Sequence, residues 1–167
     1  MNKEKIAFIP RQYLAVIAVL LAIMMSVLDG TIMNIALPTL AHDFDVTPST
    51  AIWIVNAYQL VITMTLLSFA SLGDIYGYRR IFLIGISIFV GASLACTLST
   101  SFWMLTAARV IQGFGAACVM SVNTALIRLI YPPQILGRGM GVNAMVVAVS
   151  AAAGPSMAGS ILALGSW

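Results

Sequence analysis

The chain has 167 residues, of which 61% are hydrophobic and only 8% charged, with a net charge of +3 and a mean hydropathy of +1.04. That balance excludes an ordinary soluble domain, in which about 25% of residues are charged. A bilayer core about 30 Å thick takes about 20 apolar residues per helix, so the length allows at most about six spans and no separate soluble domain.

Apolar runs predict five spans, at 13–37, 51–72, 81–98, 103–127 and 139–164, joined by short connectors. The implied fold class is all-α, a polytopic membrane helix bundle whose surroundings are the lipid bilayer. The first run follows Lys3, Lys5 and Arg11, as a secretory signal would, but it is too long for one and has no convincing cleavage site. Within it lies Asp29, and polar Asn34 follows one turn later.

The first connector, 38–50, carries no Lys or Arg but holds His42, Asp43 and Asp45. A short acidic loop explains this trio better than a metal site, since no second cluster of ligands accompanies it. The second span holds Asn56, Tyr58 and Gln59; Trp53, Tyr58 and the many Met residues could line a cavity for a large apolar ligand, but an aromatic near a span end is more often an interfacial anchor, and Trp53 and Trp103 read as anchors. The connector after it carries Asp74, Gly77, Arg79 and Arg80; the one after the fourth span carries Arg128 and Arg138. Basic residues thus fall on alternate connectors together with the N-terminus, which predicts a cytoplasmic N-terminus. No nucleic-acid partner is implied by this distribution, and Cys96 and Cys118, inside apolar runs, show no metal or redox spacing.

The fourth span contains Arg109, which with Asp29 makes the two ionisable residues well inside the apolar zone. A charge at such depth costs about 2.5–3.5 kcal/mol on insertion scales, so it faces a bundle interior or an aqueous cavity and pairs with something. At 1.5 Å per residue Asp29 lies about 13 Å below Pro38 and Arg109 about 10 Å below Phe102, so the two share a depth. Two readings stay open: an ion pair that only fixes packing, or a site that titrates or binds during transport. In the second, motion that separates the charges lets the carboxylate take up a proton.

Amides in the spans, namely Asn34, Asn56, Gln59, Gln112, Asn123 and Asn143, are more often interhelical hydrogen-bonding groups than ligand contacts. Asn34 and Gln112 are the candidates for a polar cavity lining. The fifth span is dense in small residues from Gly139 to Gly159, with Pro155 near its end, which suits close helix packing and a bend. Five spans is an odd number and would leave Trp167 on the outer face directly after a helix; the chain is expected to be a piece of something longer rather than a natural five-span protein.

Four segments together resemble the major facilitator superfamily, in particular its fourteen-span drug:proton antiporter branch. Leu28-Asp29-Gly30-Thr31-Ile32-Met33-Asn34-Ile35-Ala36-Leu37-Pro38 is similar to the first-helix signature L-D-x-T-x-x-N-x-A-L-P of that branch. Asp74, Gly77, Arg79 and Arg80 fit the G-x-L-x-D-R-x-G-R-R-R type loop, although Ala70, Ile75 and Tyr78 depart from it. Leu105 to Ala117 matches L-x-x-x-R-x-x-Q-G-x-G-A-A throughout, with Arg109 at its arginine. Gly141, Ser150, Gly154, Pro155 and Gly159 resemble the fifth-helix antiporter signature, with Ser150 and Ala158 in place of two glycines.

The resemblance implies the first five transmembrane helices of the N-terminal half of such a transporter, each half being two inverted three-helix repeats. It implies a multi-pass protein of the cell inner membrane that exports amphipathic drugs or other small compounds in exchange for protons, without cofactor. Asp29 and Arg109 would couple protons, Asp74, Gly77, Arg79 and Arg80 would form the inner gate, and Gly154, Pro155 and Gly159 the antiporter helix. The partners would be protons, a small-molecule substrate and the missing C-terminal helices of the same protein. The competing expectations are a metabolite uniporter or symporter of the same superfamily and a truncated, non-transporting membrane protein. An enzyme is not expected, because no nucleophile, base and acid constellation or phosphate-binding loop occurs.

Overall fold

The structure, a computed structural model, describes the backbone of residues 11–164 and the side chains of residues 13–160. Lys3, Lys5 and Trp167, on which part of the orientation and chain-end reading rests, lie outside the described residues. Five long helices follow one another: α1 (Arg11–Asp43), α2 (Pro48–Tyr76), α3 (Tyr78–Thr97), α4 (Phe102–Ile130) and α5 (Leu136–Leu164), with a 3-10 turn at Pro133–Ile135. All five are long and apolar enough to cross a membrane, and no strand occurs among the described residues.

All five helices begin before the apolar stretches that announce them, and α1, α2 and α4 also run past their ends. An apolar run measures the hydrocarbon crossing, whereas the helix continues into the polar interface until a local signal stops it. α1 passes through Pro38 and ends at Asp43; a proline inside a helix forfeits one hydrogen bond, and here it does not stop the chain. α2 and α3 are separated by Gly77 alone, whose φ of +93° lies in the region open to glycine and strained for L side chains. Thr47 and Ser101 cap α2 and α4 with hydroxyl oxygens that accept from the amides of Thr50 and Met104, each at 3.3 Å.

α4 is the central post. Its two glycines let neighbours approach at backbone distance: a Cβ on Gly115 would lie 2.5 Å from the Phe89 nitrogen and 2.8 Å from the Gly85 carbonyl oxygen of α3, and one on Gly113 would lie 3.0 Å from the Tyr58 carbonyl oxygen of α2. On the other side of the bundle α1 packs against α5, where a Cβ on Gly154 would collide with Thr31. The contact of α4 with α2 is matched by that of α1 with α5, the pattern expected if the first and fourth helices hold equivalent places.

Three apolar clusters stack along the bundle. One, around Met33, Leu40, Ile54 and Leu105, lies toward the end that carries His42, Asp43 and Asp45, called here the acidic end. A second, around Tyr58, Ile62, Phe89 and Ala116, is central. The third, around Val19, Phe82, Val122 and Ile127, lies toward the basic end, where Arg79, Arg80 and Arg128 sit. Large apolar side chains such as Met64, Leu67, Trp103 and Leu129 point outward, more than two thirds exposed, which in a bilayer is the lipid-facing arrangement.

Candidate functional site

Along α4 the step from the acidic-end cluster to the central one, from Leu105 to Ala116, is occupied by Arg109 and Gln112. Three residues apart, they share a helix face, and that face meets Asp29 of α1. Arg109 Nη1 donates to Asp29 Oδ2 at 2.6 Å, and Gln112 Nε2 donates to Asp29 Oδ1 at 3.1 Å. The same Arg109 nitrogen donates to Gln112 Oε1 at 2.9 Å, closing a three-membered network. The thiol of Cys96 on α3 also approaches Gln112 Oε1, at 3.6 Å.

The side chain of Arg109 is 4% exposed and that of Asp29 20%. A bond of this kind, charge-assisted and largely dry, is among the strongest a side chain makes. Arg109 also lies 5.6 Å over the ring of Tyr58 on α2, within cation–π range. Arg109 Nε is buried without a partner among the described residues. Three helices therefore converge on one guanidinium: α1 with a carboxylate, α2 with an aromatic face, α4 with the arginine itself.

Beside the network opens a cavity of about 200 Å³ between α1, α2 and α4, lined among others by Thr31, Asn34, Tyr58, Gln59 and Arg109. Asn34 lines it, as its place in the sequence suggests, while its Nδ2 donates to the Gly30 carbonyl oxygen at 2.9 Å. Gln112 does not line it; it is almost fully buried, with its carboxamide turned to the ion pair. Tyr58, which the sequence offers as a cavity aromatic, lines it, and so does Gln59, which the sequence offers as a helix-packing amide. The spacing of Ile54, Tyr58 and Ile62 puts Tyr58 on the buried stripe of α2, and no comparable signal marks the exposed Gln59.

At the basic end Asp74, Gly77, Arg79 and Arg80 are all exposed. The Tyr78 hydroxyl donates to Asp74 Oδ1 across the Gly77 turn. The same ring packs on Gly73, where a Cβ would lie 2.9 Å from Tyr78 Cδ1 and 2.9 Å from Val122 Cγ1. Arg79 and Arg80 form no ion pair among the described residues. Arg128 of α4 shares with Asp74 and Tyr78 a cavity of about 380 Å³. Tyr78, a departure from the loop pattern in sequence, thus supplies the partner of Asp74.

On α5 the small residues divide between two faces. Ser150, Gly154 and Ala158, spaced four apart, are buried, with Gly154 against Thr31 of α1; Pro155 and Gly159 are exposed. Asn123 Nδ2 donates to Asn143 Oδ1 at 3.0 Å, tying α4 to α5. His42 and Asp43 approach to 3.6 Å at the exposed acidic end, and no cluster of His, Cys, Asp and Glu able to hold a metal occurs among the described residues.

A polytopic bundle of five apolar helices with an ion pair in its interior and a cavity beside it defines a multi-pass membrane protein with a polar site inside the bundle. Comparison with known proteins gives the family. Residues 19–167 match the family model of the Major Facilitator Superfamily, and the chain belongs to that superfamily. It is 58% identical over 159 residues to the uncharacterized transporter YebQ of Escherichia coli (strain K12), covering 95% of this chain and 35% of YebQ. It is 34% identical over 157 residues to the riboflavin transporter RibZ of Clostridioides difficile (strain 630), covering 94% of this chain and 34% of that protein. It is 38% identical over 151 residues to the drug efflux pump JefA of Mycobacterium tuberculosis (strain CDC 1551 / Oshkosh), covering 90% of this chain and 30% of JefA. The chain spans about a third of the length of these relatives.

Proposed function

We propose that this chain forms the first five helices of the N-terminal half of a longer transporter that exports amphipathic drugs or other small compounds in exchange for protons. The observation that carries the reading is the Asp29–Arg109 pair, 2.6 Å apart and bridging α1 to α4 beside a cavity. Removing one partner of a buried pair leaves an uncompensated charge, at about 3–5 kcal/mol. A change of state that draws α1 from α4 therefore drives Asp29 to take up a proton, and its return releases it. Gln112 holds the second carboxylate oxygen and so fixes the geometry in which the proton is lost.

In the same reading, the basic end faces the cytoplasm of a cell inner membrane, with the N-terminus on that side. Asp74, Gly77, Arg79 and Arg80 form the inner gate: Gly77 permits the one-residue turn, and Asp74, bonded to Tyr78, is the carboxylate that the gate engages and releases. Gly154, Pro155 and Gly159 belong to the antiporter helix, with Gly154 seated on α1 and Pro155 and Gly159 turned toward the opposite half of the transporter. The equivalence of the α1–α5 and α4–α2 contacts supports an inverted-repeat half from which further helices are missing.

The name of RibZ favours a second reading of the substrate alone, a metabolite rather than a drug. The test of the main reading is efflux by the complete transporter in everted vesicles. Imposing a proton gradient is expected to drive substrate movement, and collapsing it with an uncoupler to abolish that movement. Efflux indifferent to the gradient would remove the antiport claim.

A further inference from the structure

The charges around the cavity bear on what it can hold, and this inference rests on its being the substrate site of the proposed transporter. Among the described residues none that lines it is acidic. Asp29 stands next to it with each carboxylate oxygen engaged, one by Arg109 and one by Gln112, so the pair adds no net charge. The aromatic group able to hold a cation, the ring of Tyr58, already has the guanidinium of Arg109 over it at 5.6 Å. A cation entering here leaves water, meets no free carboxylate, and finds the Tyr58 ring already sharing its π-system with a guanidinium; an unpaired charge in such surroundings is strongly disfavoured.

Neutral hydrogen-bonding capacity, by contrast, is uncommitted. The Tyr58 hydroxyl and the Gln59 carboxamide have no hydrogen-bond partner among the described residues, and Asn34 keeps its Oδ1 after donating to Gly30. Met33 and Met120 line the same cavity, and thioethers pack well against aromatic rings. We infer that this wall of the cavity selects uncharged aromatic compounds bearing hydrogen-bond donors and acceptors over cations of similar size. Tyr58, Gln59 and Asn34 are the residues that recognise them.

Binding to the purified complete transporter, followed at equilibrium by fluorescence anisotropy with an uncharged aminocoumarin and with ethidium, tests this. The coumarin is expected to bind at least about tenfold tighter than ethidium. Gln59→Glu, which places a carboxylate on the wall, is expected to tighten ethidium by at least about tenfold, because opposite charges a few ångströms apart attract more strongly in a protein than in bulk water. Gln59→Met is expected to weaken the coumarin severalfold and leave ethidium unchanged, which separates lost recognition from lost folding. Ethidium binding as tightly as the coumarin, no binding of the coumarin, or an unchanged ratio in Gln59→Glu would overturn the inference. No proton gradient enters the measurement, so proton coupling can fail while the charge preference stands, and the reverse.

Discussion

Two aspartates in this protein, Asp29 and Asp74, sit at opposite extremes of the same chemistry. Asp29 is held inside the bundle by a guanidinium and an amide from another helix; Asp74 lies exposed at the basic end, bonded to a phenol four residues along its own chain. The first is a joint between α1 and α4, bonded through both carboxylate oxygens. The second is a local contact across one glycine, made at the exposed rim of the bundle. Depth in the bundle, rather than residue type, separates the role proposed for Asp29 in coupling from that proposed for Asp74 in the gate.

The largest effect that can break this comparison comes from the deep site. Arg109→Leu is expected to destabilise the complete transporter by about 3–5 kcal/mol, because Asp29 is left without its counter-charge. The double variant Asp29→Leu, Arg109→Leu is expected to recover most of that loss, as replacement of a whole buried pair by apolar groups often does; thermal unfolding in detergent reads both. If the double variant were no better than the single one, the pair would be stabilising in its own right.

A smaller effect concerns the post on which the pair stands. Gly115→Ala pushes a methyl into the backbone of Phe89 and is expected to cost about 1–3 kcal/mol by overpacking. Gly91→Ala meets open space and is expected to be neutral or to stabilise by up to about 1 kcal/mol through helix propensity. The smallest effect is at the exposed aspartate: Tyr78→Phe is expected to leave the unfolding temperature unchanged while altering the rate of transport. A clear drop in that temperature would show that the contact with Asp74 is structural.

Much of the deep site was legible before any coordinates. The cost of charge in hydrocarbon singles out Asp29 and Arg109, and counting along two helices puts them at one depth; the structure joins them. The class of fold was legible for the same reason, since a backbone in lipid has few ways to satisfy its polar groups. What could not be read was which side of a helix an amide faces. Gln112 and Gln59 are both glutamines in apolar spans, yet one closes the ion-pair network and the other lines the cavity. That depends on how α2 and α1 seat against α4, a matter of glycine positions and distant packing. Nor could the apolar runs show that α1 continues through Pro38, since hydropathy measures a crossing and not the helix that makes it.

The central claim, that Asp29 carries the exchanged proton and Asp74 does not, is tested most directly by measuring proton flux and substrate flux together in vesicles containing the complete transporter. Asp29→Asn is expected to abolish substrate-driven proton movement while still allowing substrate to exchange for substrate. Asp74→Asn is expected to slow both fluxes and keep their ratio. Undiminished proton movement in Asp29→Asn would contradict the account.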